Sequence, residues 1–150
     1  MEKRVAFLTI IMVVVTAMVG YSTGKEVMEH FKSNGWTFMV HLKPVPKQHQ
    51  KMVNATHHLA VTVKTPQGQA VSDMTVKFIF RAKGKIIAQG ELKYMSGTPS
   101  HSEGHGGHAH EGHYGADITL PGAGDYNLTL VAKGGKNLTV RATGNIKISD

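Results

Sequence analysis

From Trp36 onward the chain alternates apolar and polar residues with a period of two. Trp36, Phe38, Val40 and Leu42 fall on one face of an extended segment, and Thr37, Met39 and His41 on the other. Pro44 and Pro46 end that strand, and residues 47–54 are polar and read as a loop. A second strand runs from about Thr56 to Thr65, where His57, Leu59, Val61 and Val63 alternate with His58, Ala60, Thr62 and Lys64. After the turn Pro66-Gln67-Gly68, Met74, Val76, Phe78 and Phe80 alternate with Thr75, Lys77, Ile79 and Arg81. Lys83-Gly84-Lys85 reverses the chain, and Ile86 to Met95 supplies one or two further short strands. Residues 96–113 have no apolar periodicity. Tyr114 to Leu120 is a strand, and Tyr126, Leu128, Leu130 and Ala132 begin another after Pro121-Gly122-Ala123-Gly124. Gly134-Gly135 gives a hairpin signal, and Leu138, Val140 and Ala142 lead to a last segment ending at Ile146 and Ile148.

About seven short strands separated by turn chemistry, with no long helical pattern, predict an all-β fold. The expected architecture is an Ig-like antiparallel β-sandwich over residues 36–150. Trp36 is expected in the core. Tyr126, preceded by Gly124-Asp125 at a strand entry, suits a tyrosine corner in which the hydroxyl bonds back to the turn backbone. Residues 25–35 read as a linker that Gly35 stops.

The N-terminus follows a different pattern. Val5 to Val19 is apolar apart from Thr9 and Thr16 and follows the charged Glu2-Lys3-Arg4. That run is short of the roughly 18–20 residues of a spanning helix and matches the core of an export signal. Ser22-Thr23-Gly24 offers small residues for cleavage, so residues 1–24 are expected to be a hydrophobic helix acting as a signal peptide or signal anchor. Either role puts the remainder outside the cytoplasm, in the periplasm or at the cell surface, with membrane contact through this segment if it is not cleaved.

Composition narrows the chemistry. The chain has 150 residues, no Cys, ten His and a formal charge of +7. Without cysteine there is no disulfide framework, thiolate metal site or cysteine nucleophile. The basic residues are scattered, with no run of five and no interleaved aromatics, which argues against nucleic-acid binding. No G-x-S-x-G, H-E-x-x-H or phosphate loop occurs, and single Asp residues stand at turns or strand faces, so no enzyme activity is expected.

The histidines are the unusual feature. His101, His105, His108, His110 and His113 lie within one loop, spaced by Gly104, Gly106, Gly107 and Gly112. Glycines leave the backbone free to bring several imidazoles onto one ion. Imidazole suits copper, zinc and nickel, and Glu103 and Glu111 add oxygen donors or acceptors for an imidazole N–H. His41, His57 and His58 lie on or beside strands, and Met95 directly precedes the loop. Thioether with imidazole favours copper, because soft sulfur suits Cu(I). Met39 and His41 project from the same strand face, so they are candidates for a second site or for the fixed part of one site that the loop completes. The metal candidates are therefore His101, His105, His108, His110, His113, Met95, His41, His57 and His58.

Several short motifs resemble a known family. They are Pro44-x-Pro46, the turn Pro66-x-Gly68-x-x-Val71, a strand ending in Met95, and a His-bearing segment. They continue with His113-Tyr114-Gly115-Ala116, Leu120-Pro121 and Gly124-Asp125-Tyr126-Asn127-Leu128. Over about residues 36–132 the chain resembles the YtkA-like and FixH-like domains, small Ig-like β-sandwiches behind a signal or single membrane anchor. The resemblance implies an extracytoplasmic domain linked to copper handling or oxidase metallation. The stretched His/Gly loop departs from it.

The expected function is a non-enzymatic, extracytoplasmic copper-binding protein that delivers or buffers the metal through its His/Gly loop. Its partners would be the metal ion and a membrane or secreted metalloprotein acceptor. The alternative is an Ig-like surface interaction or assembly module whose His loop is incidental.

Overall fold

The computed structural model describes residues 26–97 and 112–149. The expected N-terminal helix and His101, His105, His108 and His110 lie outside the described residues. Among the described residues no helix is long and apolar enough to cross a membrane.

The described chain is nearly all β, as the alternation predicts. Eight strands form in the order β1 (Val27–Ser33), β2 (Trp36–Pro44), β3 (His57–Lys64), β4 (Thr75–Ala82), β5 (Lys85–Met95), β6 (His113–Ile118), β7 (Gly124–Lys133) and β8 (Thr139–Ile148). One short helix, α1 (Lys47–Val53), occupies the segment that reads as a loop; none of its residues is buried, so it carries no apolar face to read. All strand pairs are antiparallel, and the spatial order is β1-β2-β3-β6-β5-β4-β7-β8. β5 joins the two halves of the sandwich. Its first part pairs with β4 through Leu92, and its last three residues, Lys93 to Met95, pair with β6.

The core lies between the two sheets and uses the inward residues of every strand. Phe38, Val40 and Leu42 of β2 meet Leu59, Val61 and Val63 of β3, Val76 and Phe80 of β4, and Leu128 and Leu130 of β7. Trp36 is only partly buried and packs against the rim of this cluster. Tyr126 donates its hydroxyl to the Gly122 carbonyl at 2.5 Å, the tyrosine corner that its position suggested.

Residues 27–33 are a strand, where the sequence reads as a linker. β1 pairs with β2 along its whole length, from Val27 opposite Leu42 to Ser33 opposite Trp36. Only Val27 and Phe31 are buried in it, so the period-two signal is faint. The turn was the better indicator: Asn34 (φ 50°) and Gly35 (φ 83°) are the left-handed pair that a two-residue hairpin requires. β5 was hard to read for a related reason, since Leu92 is its one buried residue.

β1 and β8 stand at opposite ends of the strand order, yet Phe31 of β1 lies over Gly144 of β8. A Cβ built on Gly144 would fall 2.2 Å from the Phe31 ring. Gly144→Ala is therefore expected to destabilise the chain by about 1–3 kcal/mol through overpacking. In a Phe31→Leu background the same substitution should cost markedly less. Urea denaturation of the four proteins checks both; equal costs in the two backgrounds would remove Phe31 as the cause.

Candidate metal centre

The outer face of the β1-β2-β3-β6-β5 sheet is built by strict alternation. Tyr114, Ala116 and Ile118 of β6 point inward, so His113, Gly115 and Asp117 point outward. Leu59, Val61 and Val63 likewise turn His58, Ala60 and Thr62 outward on β3. On β2 the inward Phe38, Val40 and Leu42 leave Met39, His41 and Lys43 outside. The register then sets these residues side by side. Ala60 lies opposite Gly115, His58 opposite Asp117, His41 opposite Ala60, and Met95 opposite His113.

The pair Ala60 and Gly115 makes a low floor in the middle of this face, and side chains lean over it. A Cβ on Gly115 would lie 3.1 Å from His58 Nε2 and 3.3 Å from the Met95 methyl carbon. The His58 and His113 rings meet edge to face with centroids 6.2 Å apart. A groove of about 280 Å³ follows, lined by His58, Ala60, Thr62 and His113 at one end and by Met28, His30, Met39 and His41 at the other.

Hydrogen bonding orients the imidazoles. His58 Nδ1 is 2.8 Å from Asp117 Oδ1. A carboxylate only accepts, so the neutral ring donates from Nδ1 and carries its lone pair on Nε2, the atom over Gly115. His41 shows the mirror arrangement, with Nε2 3.2 Å from Glu26 Oε2 and the lone pair left on Nδ1. A carboxylate behind an imidazole fixes its tautomer and raises its basicity as a ligand. Both pairs are partly exposed, so their worth to stability is small.

The structure brings together His58, His113 and Met95, with His41 diagonal to His58 on the same face. His57 goes elsewhere. It points into the sandwich, is 9% exposed, and sits with Nδ1 2.8 Å from Thr56 Oγ1. Adjacent residues on a strand point to opposite faces, so His57 and His58 cannot share an ion without breaking the strand.

Sequence reasoning missed several contributors. Met28 and His30 were hidden with β1. Asp117 and Glu26 orient imidazoles that are far from them in sequence. Gly115 carried a signal, since glycine inside a strand often marks a close approach of another group.

Among the described residues, no three His, Asp or Glu side chains converge on one point. The side chains gathered over Gly115 are two imidazoles and a thioether, groups that could hold copper.

Burial lowers the His57 pKa below its ordinary 6.5. The folded chain holds this imidazole neutral while the unfolded chain protonates it. The stability tied to neutral His57 is thus complete above the unfolded value and is lost as pH falls through it toward the lower folded value. In chelator-treated protein, wild type should lose more unfolding free energy between pH 7.5 and 5.5 than His57→Gln does. Equal pH slopes in urea titrations would show that His57 does not contribute.

No family model matches the chain, and no curated protein matches it in sequence. Solved structures are similar in fold. A copper-bound variant of FetP from uropathogenic Escherichia coli strain F11 superposes with a TM-score of 0.57 at 16% identity, covering 83% of this chain and 97% of that one. "As isolated" FetP of the same strain, expressed recombinantly in the periplasm of E. coli BL21(DE3), gives 0.56 at 15% identity, covering 85% and 99%. At these identities the likeness establishes a shared β-sandwich spanning nearly the whole of FetP.

Proposed function

We propose that this chain is an extracytoplasmic copper-binding protein that carries or buffers the metal without catalysis, and that His58, Met95 and His113 are its fixed ligands. The observation that carries this reading is the placement of His58 Nε2 and the Met95 methyl over the side-chain-free Gly115, with His113 against His58. A copper-bound protein of the same fold and the export-like N-terminal pattern support it. So does the resemblance to YtkA-like and FixH-like domains.

The donor set favours exchange over permanent retention. Two imidazoles and a thioether leave copper coordinatively unsaturated, so an acceptor's ligand can enter before the first one leaves. Lys43 and Lys93 border the face, opposite His58 and Gly115 respectively, and add positive charge that neutral donors do not offset. Asp117 and Glu26 supply the compensating negative charge beside the two oriented imidazoles.

The His/Gly segment has a defined place in this scheme. It leaves the sheet at Met95 and returns at His113, and those two residues are cross-strand partners. His101, His105, His108 and His110 are therefore tethered at both ends to the fixed ligands. Their proposed role is to collect copper from dilute solution and raise its concentration at the His58 end of the groove. The metal would then pass to a membrane or secreted metalloprotein acceptor.

Competitive titration of the full chain with a chromophoric Cu(I) chelator tests this. Asp117→Asn should weaken Cu(I) binding by about 10–100-fold, because it removes the group that orients His58. Gly115→Val should weaken it as well, because the added side chain would take the space over Gly115 that His58 Nε2 and the Met95 methyl occupy. Deleting residues 98–111 should lower the number of Cu(II) equivalents bound but retain the Cu(I) equivalent held at His58, Met95 and His113. Wild-type Cu(I) affinity in both Asp117→Asn and Gly115→Val would overturn the assignment.

A further inference from the structure

The β1–β2 hairpin carries a second set of soft donors on the same face. The register pairs Met28 with His41 and His30 with Met39. The two pairs are one alternation step apart, so the four side chains form a square on the outer face. Each Met has a His across the hairpin and another His two residues along its own strand. Directly opposite residues on one face have Cβ atoms about 4.5–5.5 Å apart, a span that one ion can bridge between two side chains.

Three further observations set this square apart from ordinary surface. All four side chains line the same groove, at the end away from His113. Glu26 holds His41 through Nε2, so Nδ1 carries the lone pair of the neutral ring. Met28 is 59% exposed, and a large thioether in that position contributes little to packing.

We propose that Met28, His30, Met39 and His41 form a second metal site, selective for a soft monovalent cation, cuprous copper. Two thioethers with two imidazoles suit Cu(I), whereas zinc and hydrated Cu(II) gain little from thioether. The copper cargo is taken from the function proposed above, but the donors are a separate set. His41 lies opposite Ala60, and His58 is two residues along β3 from Ala60. That diagonal is about 7–8 Å between backbones. The square and the His58 group are thus neighbouring stations in one groove, and a protein loaded at both would present two cuprous ions to an acceptor.

Methionine methyl NMR reads the two sites separately. The full chain, labelled with ¹³C at the methionine methyls, is titrated with Ag(I) as a redox-inert substitute for Cu(I). The methyls of Met28 and Met39 should shift together, while Met52, 83% exposed on α1, stays in place as the internal control. The shifts should persist in His58→Ala/His113→Ala. In His30→Ala/His41→Ala they should need at least about tenfold more Ag(I) to reach half-saturation, the order of loss expected when groups supporting a metal are removed. Zn(II) at the same concentration should leave Met28 and Met39 unmoved.

Shifts at Met28 and Met39 no larger than at Met52 would overturn the second site, and so would equal shifts with Zn(II). Shifts at Met28 and Met39 with Met95 unmoved would support the second site and count against the His58 centre. The two assignments can therefore fail separately.

Discussion

The buried side of β6 decides what its exposed side can do. Tyr114 is 1% exposed; its hydroxyl donates to the Val71 carbonyl at 2.9 Å and accepts from the Met74 amide at 3.1 Å. Burial pushes its phenol pKa upward, so it stays a neutral hydroxyl that can serve in both roles. These bonds tie β6 to the chain segment that enters β4 in the facing sheet. Side chains alternate with a period of two, so anchoring Tyr114 inward commits His113, Gly115 and Asp117 to the outer face. A slip of one residue would bury His113 and Asp117 and turn Tyr114 out. The candidate centre depends on this register, and the core pays for it through the packing of Tyr114 and the apolar strands around it.

With the register set, the chemistry of the outer face follows from which positions lack bulk. Ala60 and Gly115 form a cross-strand pair with almost no side chain. His58, His113 and Met95 approach that gap from different strands, and Asp117 turns the His58 ring so that its lone pair faces the gap. None of these features needs the His-rich segment. The segment is joined to the sheet where the folded strands gather these side chains. A compositional anomaly and a structural one thus coincide, because Met95 and His113 are both the ends of the segment and members of the strand-built group.

Much of this was legible in the sequence, and what was not has identifiable causes. Strands with one buried face, such as β2, β3, β4 and β7, announced themselves through clean alternation. β1 and β5 bury too few residues for a periodic signal, and β1 was recoverable only from the Asn34-Gly35 turn. For the site, ligand types could be read from composition and from the outward positions of each strand. Partnership could not, since it depends on register between strands far apart in the chain. Asp117 meets His58 across 59 residues, and no local spacing encodes that meeting. His57 and His58 look alike in the sequence, but alternation sends one to the core and the other to the groove.

The most direct test of the account is a crystal structure of the copper-loaded full chain with anomalous data collected at the copper edge. The account predicts an anomalous peak above Gly115, within bonding distance of His58 Nε2 and the Met95 sulfur. A peak confined to the 98–111 segment, or bound copper with no metal within reach of His58 Nε2 and the Met95 sulfur, would contradict it.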